Sequence, residues 1–277
     1  MRAAIRAKRD AFFGAIGKAP LVMGILNLTP DSFSDGGRFG DAEAALRQAQ
    51  KLLAEGAAII DVGAESTRPE ATPVSEAEEI ARLAPMERLV ESIDAPFSID
   101  TYKAKVAAFA ANSGAILVND VWGLQRDPAM ADIIAEADVG VVITHNRREK
   151  DADLDVVGDM RRFFDRSLAL AAKAGIAEKF IVLDPGIGFA KTSRQNVAAI
   201  GAIGRLADYG LPFMVGASRK RFLGSLSKGG EEASLAGVIA VNLAAAATGA
   251  SIFRVHDVAE NATALDVFTM VRRAAAG

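Results

Sequence analysis

Eight short apolar runs of branched residues recur along the chain, and turn-forming residues bound each of them. Runs of this length are typical of buried strands in a parallel sheet. Helical stretches separate most of the runs, and eight units in 277 residues average about 35 residues each. This spacing favours an α/β fold, a single-domain (β/α)8 or TIM barrel, over a doubly wound sheet with five or six strands. The runs are Leu21–Leu26, Ala58–Val62, Phe97–Ile99, Ile116–Val118, Val139–Ile143, Phe180–Leu183, Phe213–Val215 and Ile252–Val255.

The first twenty residues precede the first run and form a separate segment in this scheme. Four apolar residues there share one face at helical spacing, namely Ile5, Phe12, Phe13 and Ile16. We expect residues 1–20 to form a segment with a helix that caps the floor of the barrel, and residues 21–277 to form the barrel domain. A helix that binds a membrane or a partner protein is the alternative.

Composition removes several classes of function. The chain has no cysteine, which excludes disulfides, thiolate metal sites and cysteine nucleophiles, and this fits a cytoplasmic location. A pI near 5.6 gives no general attraction to nucleic acid, and no apolar run approaches the length of a membrane span. The Gly186-Ile187-Gly188 string lacks the third glycine of a dinucleotide-binding fingerprint, and no P-loop motif is present.

Polar residues follow the predicted strands, at the end of a TIM barrel where active sites lie. Asp100, Asn119 and Asp184 come from three different strands and should converge at one mouth. Buried carboxylates need partners, and a flat heterocycle that presents an amino-pyrimidinone edge would satisfy this set. Each residue could instead cap the helix that follows it.

Cationic residues lie on the loops after the second, seventh and eighth strands. They are Arg68, Lys220, Arg254 and His256. Such side chains beside the amides of strand-to-helix loops are typical of an anion site, and loops seven and eight often bind phosphate in this fold. Surface salt bridges, and a buried structural role for His256, are the alternatives.

Several strings resemble, in order, the signatures of the dihydropteroate synthase family. Residues 23–37 read MGILNLTPDSFSDGG and residues 61–69 read DVGAESTRP. The series continues with Ile99-Asp100-Thr101, Asn119-Asp120, Asp184-Pro185-Gly186-Ile187-Gly188-Phe189, Ser218-Arg219-Lys220 and Arg254-Val255-His256-Asp257. The resemblance spans nearly the whole chain from Leu21 onward.

The resemblance implies a (β/α)8 enzyme that joins 6-hydroxymethyl-7,8-dihydropterin pyrophosphate to p-aminobenzoate and releases pyrophosphate. It assigns the pterin to Asp100, Asn119, Asp184 and Lys220. It assigns the pyrophosphate to Asn27, Arg68, Arg254 and His256, with Mg²⁺ at Asn27. It assigns the p-aminobenzoate side to Phe33, Thr67, Pro69, Phe189 and Ser218. It also implies a homodimer, formed through the later helices, and sulfonamides as mimics of p-aminobenzoate.

The charges fit this assignment. Loss of pyrophosphate leaves positive charge on the pterin, which faces Asp100 and Asp184, while the cations and Mg²⁺ face the leaving group. The aniline nitrogen is a weak base, so a dissociative path through a cationic intermediate suits it. We expect Asp35 and Arg68 to act from loops that close over the substrates and exclude water, and we count them with Asp100, Asp184 and Lys220 as catalytic.

The chain departs from the family pattern in three places. Ala64 and Glu70 stand where glycine is usual, and the string Thr144-His145-Asn146-Arg147 stands where Met-His-Met-Arg is common. None of these departures touches a residue with an assigned role. They bear on the shape of loop two and on one wall of the pterin pocket.

Three rival functions stay open at this point. A pterin-binding methyltransferase would keep the Asp/Asn set but would have little use for the anion site. A catalytically inactive paralogue would more readily have lost Asp184, Lys220 or Arg254. A sugar-phosphate aldolase would need a Schiff-base lysine at the end of a strand, whereas Lys220 lies a few residues beyond one and next to Arg219.

Overall fold

Eight parallel strands form a closed barrel in the computed structural model, which describes residues 3–28, 37–65, 72–226 and 234–276. Each strand pairs with the next along the chain, and β8 pairs with β1 to close the barrel. The strands are β1 Leu21–Asn27, β2 Ile59–Gly63, β3 Phe97–Asp100, β4 Leu117–Asp120, β5 Gly140–Thr144, β6 Ile181–Asp184, β7 Phe213–Val215 and β8 Ala250–Val255. The predicted (β/α)8 barrel is therefore confirmed.

Helices connect the strands and cover the outside of the barrel. They are α1 Ala3–Ala15, α2 Gly37–Ala54, α3 Glu76–Arg82, α4 Met86–Ser92, α5 Ala104–Ser113, α6 Met130–Ala137, α7 Val156–Ala174, α8 Ser193–Gly201, α9 Phe222–Leu226, α10 Leu235–Thr248 and α11 Val258–Ala276. Short 3-10 helices at Glu178–Phe180 and Ile203–Tyr209 lead into β6 and β7. Gly114 and Gly249 end α5 and α10 in the left-handed conformation, as their place before a predicted strand indicates.

Most strands extend toward the mouth beyond the apolar runs of the sequence. Asp100, Thr144 and Asp184 are the last residues of β3, β5 and β6, and they are paired within the sheet. Strand β4 lies one residue later than predicted at its start and two at its end. The difference arises because backbone pairing continues through residues whose polar side chains face the mouth.

Two apolar clusters stabilise the barrel. The outer cluster lies between the strands and the helices, and the inner cluster fills the barrel interior. The strands contribute to the inner cluster Met23, Ile59, Leu117, Val142, Val182, Met214 and Ile252, and Ile116 joins it from the position just before β4. Packed layers of this kind make the interior a core and leave the mouth as the place for a site.

Helix α1 packs against the floor of this inner cluster. Ile5 and Phe12 are buried members of the cluster, and Phe13 contacts the ring of Phe180 with centroids 5.1 Å apart. The guanidinium of Arg9 lies 3.8 Å from the centroid of the Phe180 ring. The division of the chain into a capping segment and a catalytic domain stays a prediction, but these contacts join the two parts.

Across the described ranges, no helix combines the length and the apolar composition that a membrane crossing requires.

We predict that Phe12→Ala lowers the free energy of unfolding by about 3 kcal/mol, because it opens a cavity under the inner cluster. Urea denaturation followed by circular dichroism measures the change. Ala11→Ser, at an exposed position of the same helix, is the matched control and should cost less than about 1 kcal/mol. Equal losses for the two variants would contradict the packing of α1 against the barrel.

Candidate active site

The polar ends of the strands meet at one mouth because their registers align. Asp100 is level with Gly63 on one side and with Asn119 on the other, and Thr144 is level with Asp184. They open into a cleft of about 1560 Å³. The predicted site residues that line it are Asp100, Asn119, Asp184, Phe189, Lys220 and Arg254.

A buried ion-paired group lies at the base of this cleft. Arg254 donates from Nε to Asp61 at 2.6 Å and from Nη2 to Asp100 at 2.5 Å. Asp61 is fully buried and also accepts from Ser98 Oγ at 2.6 Å and from Asn119 Nδ2 at 3.3 Å. The group therefore joins β2, β3, β4 and β8 at the level where a ligand would enter.

The pKa of Asp100 is raised to about 7, first by burial and then by the charges of Asp61 and Glu79, against the lowering effect of Arg254. The pKa of Arg254 is raised by the two carboxylates despite its burial. The guanidinium thus stays charged, while Asp100 is poised to exchange a proton near neutrality.

Three buried polar atoms in the cleft have no hydrogen-bond partner among the described residues. They are Asp100 Oδ1, Asn119 Oδ1 and Thr144 Oγ1. Two of the three are acceptors only, and buried polar groups are rarely left without partners in folded proteins. A planar ligand that presents adjacent N–H donors would satisfy this edge of the cleft.

Asp184, level with Thr144 on the neighbouring strand, continues this edge of the cleft, and Lys220 lies close to it. Burial raises the pKa of Asp184, and Lys220 together with the Gly186 N–H, 2.6 Å from Asp184 Oδ1, lowers it. Burial lowers the pKa of Lys220 to about 8, although Asp184 and Asp100 raise it. The Lys220 ammonium donates to the carbonyl of Ile187 and lies 4.6 Å from the centroid of the Phe189 ring.

Ser218 and His256 meet on the loops after β7 and β8. Ser218 Oγ lies 2.9 Å from His256 Nδ1 and accepts from the His256 backbone N–H at 3.2 Å. The resemblance places Ser218 on the p-aminobenzoate side and His256 on the pyrophosphate side. In the structure the two side chains are in direct contact, so the two predicted subsites share a border.

Asn27 ends β1 at the same mouth. A Cβ added to Gly63 would lie 3.7 Å from Asn27 Oδ1 and 4.0 Å from Asp100 Oδ2, so these two oxygens border the space above Gly63. Within the part of the chain that the structure describes, no group of three or more histidine or acidic side chains could hold a metal ion.

Five predicted site residues lie outside the described ranges, namely Phe33, Asp35, Thr67, Arg68 and Pro69. Glu70 lies outside them too. The other two departures from the family pattern are buried. Ala64 has no exposed surface, and Asn146 donates to the carbonyl of Val121 at 2.7 Å and accepts from the backbone N–H of Arg147. Asn146 thus holds the wall of the cleft through backbone contacts.

The sequence interpretation gave no role to two buried charges of the site, Asp61 and Lys191. Asp61 interrupts an otherwise apolar strand, which is the signal that could have identified it. Lys191 is only 4% exposed and contacts the carbonyl oxygens of Gly186 and His145, a burial that its loop sequence does not reveal.

Gly186 provides a test of this geometry. Its φ is +66°, and an added Cβ would lie 1.7 Å from the carbonyl oxygen of His145. We predict that Gly186→Ala lowers the free energy of unfolding by about 3 kcal/mol or more, because the loop must move and the alanine must also adopt an unfavourable φ. Urea denaturation checks the value.

Gly175→Ala is the matched control, since Gly175 has a φ of +85° and no atom within 4 Å of an added Cβ. It should cost only about 1 kcal/mol, the penalty for the left-handed conformation. A Gly186→Ala variant as stable as this control would refute the close approach of the two loops.

Comparison with known proteins agrees with the geometry. The model of the pterin-binding enzyme family matches residues 23–256. A dihydropteroate synthase of Bacillus subtilis is 45% identical over 239 residues, which cover 86% of this chain and 84% of that protein.

Solved structures lead to the same family. A Clostridium difficile dihydropteroate synthase, crystallised in the presence of pteroic acid, has a TM-score of 0.88 and 41% identity over 92% of this chain and 98% of its own. A Xanthomonas albilineans dihydropteroate synthase with 4-aminobenzoic acid has a TM-score of 0.85 and 41% identity over 92% and 93% of the two chains. Identity of this level over almost the whole barrel, together with a mouth lined by the same signatures, shows that the chain belongs to the dihydropteroate synthase family of pterin-binding enzymes.

Proposed function

We propose that this chain is a cytoplasmic transferase that joins 6-hydroxymethyl-7,8-dihydropterin pyrophosphate to p-aminobenzoate, forming 7,8-dihydropteroate and pyrophosphate. The observation that carries the proposal is the row of buried atoms that have no partner among the described residues, Asp100 Oδ1, Asn119 Oδ1 and Thr144 Oγ1, beside the cations of Lys220 and Arg254. The row fits the N–H edge of a pterin. The cations fit the charge of a leaving pyrophosphate.

The reaction separates charge along the axis of the cleft. The bond between the pterin methylene carbon and the pyrophosphate oxygen breaks, and its electron pair leaves with the pyrophosphate. Asp100 and Asp184 stabilise the positive charge that develops on the pterin. The amine nitrogen of p-aminobenzoate then bonds to the methylene carbon and loses a proton. Because an aniline is a weak nucleophile, this dissociative order needs no strong general base.

Lys220 and Arg254 interact with both products of this charge separation, the pterin cation and the pyrophosphate anion. Each lies close to a pterin-side carboxylate, and each is a half-buried cation that a departing anion would contact. His256, in contact with Ser218, extends the cationic side toward the pyrophosphate. Asp35, on the loop after β1, and Arg68, on the loop after β2, are proposed to complete the site over the bound substrates.

The donor set near β1 fits Mg²⁺. This ion takes few protein ligands and keeps water and substrate phosphate oxygens in its shell. The amide oxygen of Asn27 and Asp100 Oδ2 both border the space above Gly63, so a protein oxygen of Asn27 is available at the mouth. We propose that Asn27 would hold Mg²⁺ when the pyrophosphate substrate is bound, where the ion would supply positive charge to offset that of the leaving group.

The p-aminobenzoate side is proposed to lie at the outer end of the cleft. Phe189 offers an aromatic wall, and Ser218 offers a hydroxyl at the border with the anion site. Phe33, Thr67 and Pro69 would close this subsite from loops one and two. A site of this composition would also accept sulfonamides, which share the shape of p-aminobenzoate.

The experiment that tests the function measures pyrophosphate release with dihydropterin pyrophosphate, Mg²⁺ and p-aminobenzoate, with each component omitted in turn. We expect release that depends on all three, with dihydropteroate as product. Release without p-aminobenzoate would mean hydrolysis at an incomplete site. Pterin binding by calorimetry without any release would favour a methyltransferase or an inactive paralogue.

Asp184→Asn should weaken pterin binding by about tenfold or more, because an amide presents an N–H where the carboxylate accepts. Calorimetry with 6-hydroxymethylpterin measures the affinity, and turnover should fall with it. Asp208→Asn, at a surface carboxylate paired with Arg161, is the control and should bind as the wild type does. Wild-type affinity in Asp184→Asn would remove this residue from the pterin site.

We also propose that the protein is a homodimer through α10 and α11. A groove of about 760 Å³ there is lined by Leu243, Ala259, Glu260, Thr263, Ala264, Val267, Phe268 and Val271. Val267, Met270 and Val271 are 55%, 70% and 63% exposed, an apolar patch that is costly to leave in water.

Val271→Glu should convert the dimer to monomers, since it would place a charge within the apolar contact. Sedimentation velocity measures the mass. Leu170→Glu is the control, because Leu170 is 38% exposed on α7, a helix that packs against α6 and α8, and this change should leave the mass unchanged. A wild-type chain that sediments as a monomer at micromolar concentration would refute the dimer.

A further inference from the structure

Lys191 joins two loops at the mouth of the barrel. Its ammonium donates to the carbonyl oxygens of Gly186 at 2.8 Å, His145 at 3.3 Å and Phe189 at 3.4 Å. His145 begins the loop after β5, and the other two acceptors lie in loop 6, defined as residues 185–192. One buried cation thus holds the backbone of both loops.

The backbone of loop 6 is shaped for these contacts. Gly186, Gly188 and Ala190 have φ values of +66°, +86° and +44°, so alternate residues are left-handed. Alanine adopts this conformation at a cost of about 1 kcal/mol. The strained residue separates Phe189, which lines the outer cleft, from Lys191. The contacts of Lys191 offset the strain and keep the loop in this form.

The position of the Phe189 ring depends on both lysines of the site. Lys191 binds the carbonyl of Phe189, and Lys220 lies over its ring and binds the carbonyl of Ile187. An added Cβ on Gly188 would lie 2.8 Å from Lys220 Cδ, so loop 6 and Lys220 are closely packed. A shift of loop 6 therefore moves the aromatic wall of the cleft.

The ammonium of Lys191 is held at an electrostatic cost. Its pKa is lowered to about 7, chiefly by burial and also by the charges of Lys220 and Arg147, against the raising effect of Asp184 and Asp159. A methionine would fill the same space without this cost. The ammonium, unlike a methionine, supplies hydrogen-bond donors to three backbone carbonyl oxygens.

We propose that Lys191 is a positioning residue for the aromatic substrate: by binding the carbonyl oxygens of Gly186, Phe189 and His145, it holds the Phe189 ring where p-aminobenzoate docks. The proposal rests on the proposed function. Lys191 need not touch the reacting atoms. Its effect passes through loop 6, whereas Asp100 and Asn119 hold the pterin from β3 and β4.

Kinetics of Lys191→Met test this role. We expect the KM for p-aminobenzoate to rise about tenfold or more, which corresponds to about 1.4 kcal/mol, while the KM for the pterin pyrophosphate changes less than about threefold. Lys173→Met, at an exposed position of α7, is the control and should match the wild type. An equal rise in both KM values, or in neither, would overturn the proposal.

Amide hydrogen exchange gives a readout that does not depend on catalysis. Lys191→Met should speed exchange at the amides of residues 186–190 about tenfold and leave α7 and α8 unchanged. If the wild-type chain shows no synthase activity, the proposed function fails, and this measurement still decides whether Lys191 holds loop 6. Unchanged exchange would overturn the contact itself.

A chemical rescue separates charge from shape. The chain has no cysteine, so Lys191→Cys carries a single thiol, which can be alkylated in urea with 2-bromoethylamine before refolding. The thioether with its new ammonium should recover the wild-type KM for p-aminobenzoate, and alkylation with 1-bromopropane should not. Equal KM values for p-aminobenzoate in the two alkylated proteins would overturn the proposal. The comparison also tests the proposal if Lys191→Met does not fold. Wild-type chain taken through urea is the control for refolding.

Discussion

The pairing of Arg254 with Asp61 and Asp100 is the interaction on which the site depends. The Arg254 side chain reaches from β8 past β1 to the buried carboxylates of Asp61 on β2 and Asp100 on β3. Leaving either carboxylate charged without this partner would cost about 3–5 kcal/mol. The group fixes one oxygen of Asp100 and leaves the other without a partner among the described residues. The group therefore links the ends of β2, β3 and β8 and also presents a hydrogen-bond acceptor to the cleft.

The rest of the mouth is arranged around this group in two halves. On the side of β3 and β4, acceptors from strand ends form a rigid edge that requires no loop. On the side of β6 and β7, Lys220, Phe189 and loop 6 form an edge held by contacts of lysines with backbone carbonyls. The first half suits recognition of a flat ring. The second half can adjust, because its parts belong to loops.

The strands and the strand-end residues could be predicted from the sequence because burial on two sides imposes short apolar runs, and because a parallel barrel brings every strand end to one rim. The partners of these residues could not be predicted. Asp61 and Arg254 lie 193 residues apart, and no local pattern pairs them. The contact of Ser218 with His256 depends on the backbone conformations of the loops after β7 and β8. The burial of Lys191 depends on the left-handed conformation of Ala190, which alanine does not indicate.

Closure of the barrel by β1 and β8 has a consequence for synthesis of the chain. Leu21 is level with Ile252, so the first strand lacks its second neighbour until more than two hundred further residues have been made. At a ribosomal rate of about 5–20 residues per second, this interval is roughly 10–50 s. During that time Met23 and the apolar face of α1 have no complete core to enter. The nascent chain must therefore rely on chaperones, or on transient burial by its own half-built barrel, until β8 leaves the ribosome.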